Sequence, residues 1–301
     1  MQSFWLIFQL LFCLAIGFII AKKLPKVLLK VSFTVLPYFS YVLLIAIAFE
    51  FAQVLDQLQH PYQILTTALS IASLTSLGAF TCCYVLFKWA GYQPSTGRVS
   101  SELVIKSLIN ISYAFFALAL GYFLHLGFGH LGFQVQMSTW HLLLVFMFLI
   151  GLDLAYSPLD RSWLNWKILL VPLGCILGSL LGVLLYSCYS GIKIQDLIML
   201  SQGYGFYSMS GIVVTELRNA ELGSIALMND LFREIFAILL MYGIGWRYPR
   251  AAIAAAGATS MDVTLPMVKQ ACGNDFIPHA MLSGFILSVL APVAVSILAA
   301  L

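Results

Sequence analysis

Long hydrophobic runs fill most of the chain, and only short polar stretches separate them. Most of these runs hold about 20 apolar residues, the length that an α-helix needs to cross the hydrocarbon core of a bilayer. We place ten runs, at residues 3–21, 31–49, 62–87, 107–126, 139–152, 168–189, 197–215, 224–246, 251–268 and 278–301. The pattern therefore predicts an all-α integral membrane protein built as a polytopic helix bundle. The short run at 139–152 is expected to extend into the loop before it.

Two of the ten runs, 197–215 and 251–268, contain residues that break helices. The breaking residues are Gly203, Gly205 and Gly211 in the first run and Gly257 and Pro266 in the second. Broken backbone is tolerated at membrane depth only where it is buried in protein or lines a water-filled cavity. We expect eight full spans from the other runs. The two broken runs are either re-entrant segments or the ninth and tenth crossings.

The distribution of lysine and arginine predicts the orientation, because basic loops stay in the cytoplasm. Four lysines follow the first run, the next connection has no base, the third has three, the fourth has none, and the fifth carries Arg161 and Lys167. This alternation places both the N-terminus and the C-terminus outside. Eight spans would put Arg247 and Arg250 in the cytoplasm, whereas ten crossings would put them outside, so charge favours eight.

The composition agrees with a single membrane domain over 1–301, with six spans in 1–196 and the broken segments and core site in 197–301. Of the 301 residues, 61% are hydrophobic and 9% are charged, whereas soluble domains carry about 25% charged residues. The six cysteines form no CxxC or Cys/His cluster, so no metal centre or disulfide framework is predicted. The net charge of +3 fits basic cytoplasmic loops and indicates no nucleic-acid partner.

Charged residues inside the hydrophobic runs are the strongest functional signal, since each costs roughly 2.5–3.5 kcal/mol to insert. Asp230, Arg233 and Glu234 lie in one run and Asp262 in another. Asp230 and Arg233 are spaced to form an ion pair on one helix, which would leave Glu234 without a local partner. Asp262 either faces a cavity or caps a half-helix. We predict that Glu234 and Asp262 bind substrate and protons, and that Asp230 and Arg233 support them.

Further polar and aromatic residues of the two broken runs and the helix between them are predicted to support the site. They are Asn229, Ser208, Ser210, Ser260, Thr264, Tyr204 and Tyr207. The tyrosines either line the substrate path or pack between helices. A G-x-x-S-M frame occurs at both 205–209 and 257–261. Paired interrupted segments mark the binding sites of transporters built from inverted repeats, although a frame of five residues leaves a duplication open.

Two membrane carboxylates that converge on one cavity suit a small cation. A carboxylate withdrawn from water also takes up protons more readily, so protons and a cationic substrate would compete for one site. Such competition is sufficient for antiport. A carboxylate on the substrate would bind at the positive end of a half-helix, where backbone amides are free.

Four motifs in one order resemble a known family. They are G-Y-G-F-Y-S-M-S-G-I-V-V-T-E at 203–216, N-D-L-F-R-E at 229–234, G-A-T-S-M-D-V-T-L-P at 257–266 and G-F-I-L-S at 284–288. These stretches are similar to those of the LysO family of bacterial lysine exporters. The resemblance covers about residues 200–295, and the first 195 residues match in length and hydropathy only.

The resemblance implies a non-enzymatic, multi-pass protein of the bacterial inner membrane that exports L-lysine, and toxic lysine analogues with it, against the proton gradient. By resemblance, Glu234 and Asp262 fall on the acids expected to serve export. The implied partners are lysine and the lipid bilayer, with no cofactor beyond the proton gradient. Sodium as the coupling ion and the oligomeric state stay open.

Three other functions fit parts of the pattern. Sodium-coupled transporters of organic anions also contain broken helices, but here the membrane acids outnumber the membrane bases. An intramembrane aspartyl protease needs two membrane acids, but its G-x-G-D arrangement is missing because Thr-Ser-Met precedes Asp262. A passive channel would need a ring of repeated filter residues, and no such repeat is evident.

Overall fold

The computed structural model describes residues 2–55, 61–92, 101–130, 139–156, 166–261 and 264–301, and all regular structure within these ranges is helical. The α-helices are α1 (Gln2–Ala21), α2 (Lys26–Leu55), α3 (Pro61–Trp89), α4 (Ser101–His130), α5 (Thr139–Tyr156), α6 (Leu170–Ser187), α7 (Ile194–Ser201), α8 (Tyr207–Leu217), α9 (Ala220–Leu240), α10 (Pro249–Ala256), α11 (Leu265–Met267) and α12 (Ile277–Ala300). The predicted all-α class is confirmed.

Three helical stretches among the described residues are both long and apolar enough to cross a membrane: Tyr62–Trp89, Leu170–Ser187 and Asn274–Ala300. Shorter apolar helices occupy Phe12–Ala21, Phe116–His130 and Thr139–Asp153. These features identify a multi-pass helical membrane protein. The helix at 139–156 passes the end of its predicted run, and the loop before it lies outside the described residues. The number of crossings stays a prediction.

Glycines bring α3 and α6 into close backbone contact. A Cβ atom at Gly178 would overlap the backbone of Gly78 and Ala79, and a Cβ at Gly174 would lie 2.8 Å from the Cα of Cys83. Small residues allow such approach between membrane helices, where van der Waals packing replaces the hydrophobic effect. Because Gly174 pairs with Cys83 while Gly178 pairs with Gly78, the two helices run antiparallel.

Two ends of the bundle can be told apart by their basic residues. At the first end, which we call the basic end, the ring of Tyr92 lies 5.3 Å from Lys167 Nζ and 4.2 Å from Arg250 Cζ. At the opposite end, Arg218 Nη2 donates a hydrogen bond to the carbonyl of Leu298 at 3.3 Å. Helix α9, continued by a π-turn at Met241–Gly245, connects the two ends.

Both predicted helix breaks are present. Between α7 and α8 the chain turns at Tyr204 and Gly205, whose φ angles are 52° and 88°. The second break begins at Gly257, which ends α10 with a φ of 65° and leads into a 3-10 turn at Gly257–Met261. Positive φ angles are costly for residues with a Cβ, and two of these three positions are glycines, whereas Tyr204 adopts a positive φ with a side chain. Gly211, which was also predicted to break the first run, lies inside α8.

The two breaks lie against each other. The amide of Ala258 donates a hydrogen bond to the carbonyl of Tyr204 at 2.9 Å. A Cβ atom at Gly257 would overlap that carbonyl, and one at Gly205 would lie 3.4 Å from the carbonyl of Ala256. Glycine at 257 therefore meets two demands, a left-handed φ and a close backbone approach. The contact places the two echoing G-x-x-S-M frames side by side.

Candidate functional site

The charged residues of α9 are buried beside the two breaks. Asn229, Asp230 and Arg233 are 0% exposed, and Glu234 is 7% exposed. The helix begins with a conventional N-cap, in which the side chain of Asn219 accepts a hydrogen bond from the amide of Leu222 at 2.8 Å. Buried charges need partners, so the surroundings of each residue indicate what it can do.

Asp230 stabilises the first break. Its Oδ1 accepts a hydrogen bond from the amide of Gly205 at 3.0 Å, and its Oδ2 accepts one from the hydroxyl of Ser210 at 2.5 Å. A Cβ atom at Gly203 would overlap Oδ2, so the carboxylate fills the space that a side chain at 203 would take. Asp230 thus caps the turn before α8 and joins it to Ser210 in the first turn of that helix.

This arrangement leaves one sequence-based interpretation untested and overturns another. The expectation that the positive end of a half-helix receives a substrate carboxylate stays a prediction, since Asp230 accepts from the amide of Gly205, two residues before α8 begins. Asp230 and Arg233 were expected to form an ion pair, but Arg233 directs its Nη2 to the thiol of Cys175 instead, at 3.1 Å. Backbone amides of the break compete with the guanidinium for the aspartate, and helical spacing cannot reveal that competition.

Asn229 joins α9 to the end of α7. Its Nδ2 donates to the carbonyl of Leu200 at 3.0 Å and to Asp230 Oδ1 at 3.3 Å. The carbonyl of Leu200 belongs to the last turn of α7, where helical carbonyls lack intrahelical partners. Asn229 and Asp230 together therefore satisfy groups on both sides of the first break.

Arg233 is a buried cation with spare donors. Among the described residues its Nε and Nη1 have no hydrogen-bond partner, and the acceptor of its Nη2 is the thiol of Cys175, a weak acceptor. Its guanidinium lies 5.7 Å from the ring centre of Tyr204, a separation suited to a cation–π interaction. Leaving charged donors unmet inside a protein is expensive, so an acceptor at Nε or Nη1 would stabilise this group.

Glu234 lies one turn after Asp230 on the same face of α9. It is near enough to Tyr41 of α2 for their charges to affect each other, and 7% of its surface is exposed. Asp230 has no such exposure. Of the two described acids in the middle of α9, Glu234 is therefore the slightly more exposed one.

The hydroxyl groups of the second break are turned to the backbone. Ser260 Oγ donates to the carbonyls of Gly257 and Ala280 at 2.8 and 2.9 Å, and Thr264 Oγ1 donates to the carbonyl of Thr259 at 3.0 Å. These bonds hold the break against α12. Asp262 lies outside the described residues, so its predicted role stays a prediction.

The tyrosines predicted to support the site are both buried, at 0% exposure for Tyr204 and 9% for Tyr207. The hydroxyl of Tyr204 donates to Oε1 of Gln202, and its carbonyl receives the amide of the second break. Tyr204 therefore packs at the contact of the breaks. Ser208 was also predicted to support the site, but its side chain is not among those that the structure describes.

The structure brings Asn229, Asp230, Arg233, Tyr204 and Ser210 together at the first break. The second break, with Ser260 and Thr264, adjoins them through the contact at Tyr204. Three contributing residues were missed by sequence reasoning: Cys175, Gln202 and Tyr41. Cysteine in an apolar run counts as a small hydrophobe, and nothing in the sequence indicates that it meets Arg233.

A helical membrane bundle with buried charges at the contact of two broken helices is the architecture of a membrane transporter. The profile of the family described as "Lysine exporter LysO" matches residues 112–299. The chain is 33% identical over 205 residues to the lysine exporter LysO of Escherichia coli K12, covering 67% of each protein. It is 31% identical over 157 residues to a putative lysine exporter of Haemophilus influenzae, covering 52% of this chain and 80% of the relative.

The chain therefore belongs to the lysine exporter LysO family, as its four motifs predict. The profile match begins at residue 112 and so extends into the half of the chain that the motifs leave uncovered. No solved structure matches the chain.

Proposed function

We propose that the protein exports L-lysine from the cytoplasm in exchange for protons. The observation that carries the proposal is membership of the lysine exporter family together with the buried charges of α9 beside the two breaks. Lysine carries two ammonium groups and one carboxylate, so its site must offer both signs of charge. Glu234 and Arg233 supply these two signs on consecutive residues of one helix.

The acids Glu234 and Asp262 bind the ammonium groups in this proposal. The C-terminal ends of α7 and α10 also converge on the contact between the breaks, and helix C-termini carry a partial negative charge that favours cations. Asn229, Ser210 and Asp230 hold the first break in shape, and Ser260 and Thr264 hold the second.

Arg233 receives the carboxylate of the substrate. Asp230 places a carboxylate beside the turn before α8, and its negative charge opposes a second carboxylate there. Arg233 retains Nε and Nη1 without partners among the described residues, and a hydrogen bond from a guanidinium to a carboxylate is strengthened by the opposite charges. The ring of Tyr204 lies beside the guanidinium, where it shields the bound carboxylate and Arg233 from other solutes.

Proton coupling follows from competition at Glu234 and Asp262. A proton that binds either carboxylate removes the charge that holds the ammonium group, so the site carries protons inward and lysine outward. Sodium in place of protons is the alternative coupling ion, and lysine would then move no protons across the membrane.

The position of Arg250 at the basic end supports the eight-span topology with two re-entrant segments. Arg250 and Lys167 both lie beside the ring of Tyr92, and the positive-inside rule assigns the loop that contains Lys167 to the cytoplasm. Helix α8 packs antiparallel to α9, with Gly211 beside Leu227 and Gly223 beside Thr215. In this topology the two re-entrant segments that contain the breaks enter the membrane from opposite faces. Both termini lie on the periplasmic side of the bacterial inner membrane.

The proposal is tested in proteoliposomes that carry a pH gradient and an internal pH-sensitive dye. Adding lysine to the cytoplasmic face is expected to dissipate the gradient with the wild-type protein and to have no effect with Glu234→Gln. Glu221→Gln provides a matched control, because Glu221 is an exposed acid in the first turn of the same helix. If lysine-driven proton movement persists unchanged in Glu234→Gln, then Glu234 is not part of the site.

The spare donors of Arg233 also favour a second candidate, a transporter of organic anions. The same vesicles distinguish the two functions, since an anion carrier would respond to sodium and an organic anion while ignoring lysine. Family membership and the acid at 234 favour lysine.

A further inference from the structure

A second charged cavity lies at the basic end, away from the α9 charges. It measures about 190 Å³, smaller than the roughly 300–1,000 Å³ of typical small-molecule sites, which suits a small ionic group. Its polar and aromatic lining is formed by Lys88, Arg247, Arg250, Tyr84, Tyr92 and Tyr248. The cavity is built from the end of α3 and the start of α10.

The lining is positive, and no acid is among the described residues that form it. The side chains of Lys88 and Arg247 are exposed. Arg250 is held in place, because its guanidinium carbon lies 4.2 Å from the ring centre of Tyr92 and its Nε donates to His279 Nε2 at 3.2 Å. Three cations thus surround one cavity, and one of them is fixed by aromatic packing.

The backbone adds to this positive field. Helix α10 begins at the cavity with Pro249 in its first turn, followed by Arg250 and Ala251. The first amides of a helix have no intrahelical acceptors, and the helix dipole places a partial positive charge at this end. Phosphate groups are among the anions that such helix starts bind.

The position of the cavity indicates what kind of phosphate it meets. Trp89 and Trp166 are exposed at this end of the bundle, with 84% and 65% of their surface accessible. Exposed tryptophans near basic residues mark the headgroup level of a bilayer. Three positive charges also oppose the entry of a cationic substrate such as lysine, so the cavity is distinct from the lysine site.

We propose that this cavity binds the phosphate of an anionic phospholipid headgroup, such as phosphatidylglycerol, at the cytoplasmic surface. Basic pockets between membrane helices bind anionic headgroups in this manner. The bound phosphate would anchor the start of α10, the helix whose other end carries the break at Gly257. The inference is independent of the identity of the transported solute.

The test uses the full-length protein in nanodiscs of phosphatidylcholine with and without phosphatidylglycerol. Native mass spectrometry counts retained lipids, and thermal unfolding measures stabilisation. The double variant Lys88→Gln/Arg247→Gln keeps the packed Arg250, and we expect it to bind phosphatidylglycerol about fivefold more weakly per charge removed. The matched control is Lys22→Gln/Lys23→Gln, which removes two exposed lysines from a loop predicted to lie on the same membrane face.

A third arm adds inorganic phosphate to nanodiscs that contain phosphatidylcholine alone. Stabilisation there that is lost in Lys88→Gln/Arg247→Gln, without selective retention of phosphatidylglycerol, would overturn the lipid assignment and identify free phosphate as the ligand. Equal retention of phosphatidylglycerol by the wild type, the double variant and the control would overturn the site itself.

Discussion

Asp230 Oδ1 accepts a hydrogen bond from the amide of Gly205 at 3.0 Å, although 25 residues separate the two in the chain. This bond fixes the turn between α7 and α8 to the middle of α9. Asp230, the described acid beside the first break, is thereby committed to the backbone, and in the proposed function the substrate roles fall to Glu234 and Arg233.

Replacing Asp230 with alanine is expected to lower the free energy of unfolding by about 3 kcal/mol, because the amide of Gly205 and the hydroxyl of Ser210 lose their acceptor. Asp230→Asn keeps one acceptor and should cost less. Denaturant titration in detergent micelles measures both variants. If Asp230→Ala unfolds at the wild-type denaturant concentration, the capping role is wrong.

Gly203→Ala is expected to destabilise the protein by about 1–3 kcal/mol, the cost of forcing an extra group into a filled site, because the new Cβ would overlap Asp230 Oδ2. Gly243→Ala is the matched control, since no atom lies within 4 Å of a Cβ there. The same titration compares them. Equal stabilities of the two variants would contradict the close contact at residue 203.

Gly257→Ala should cost about 2–4 kcal/mol, since it adds an overlap with the carbonyl of Tyr204 to the strain of a positive φ. Gly273 also has a positive φ, of 100°, but a Cβ there would meet no atom within 4 Å. Gly273→Ala therefore carries the strain alone, about 1–2 kcal/mol. A similar loss of stability in both variants would show that the contact between the breaks contributes nothing to the free energy of unfolding.

Arg233→Gln is expected to weaken lysine transport through its apparent affinity, by about 2 kcal/mol or roughly thirtyfold, as for loss of one partner of a buried charge pair. Cadaverine, which is lysine without its carboxylate, should be handled equally by the variant and the wild type. Competition of each compound with labelled lysine in vesicles measures the effect. Arg218→Gln, at an exposed arginine of the opposite end, serves as the control. If the apparent affinities for lysine and cadaverine fall equally in Arg233→Gln, then Arg233 does not bind the carboxylate of the substrate.

The helices and their breaks could be predicted because hydrophobic length and glycine position are local properties. The run predicted at 62–87 is the helix Pro61–Trp89, and the break predicted around Gly257 begins at that residue. In both cases the determining residues are neighbours in the chain, so no tertiary information was needed.

The partners of the charged residues could not be predicted, because they come from distant segments. Helical spacing pairs Asp230 with Arg233, but Gly205 and Cys175, which bind them in the fold, lie 25 and 58 residues away. The packing of α9 against the first break and against α6 decides which partners Asp230 and Arg233 bind. For the same reason the spare donors of Arg233 have no counterpart in the sequence analysis.

The hydrogen bond between Ala258 and Tyr204 is made by backbone atoms alone. Any residue except proline at 258 keeps the amide that donates, and any residue at 204 keeps the carbonyl that accepts. The joint between the two breaks is therefore a property of the main chain, and sequences that differ in their side chains at both positions can share it.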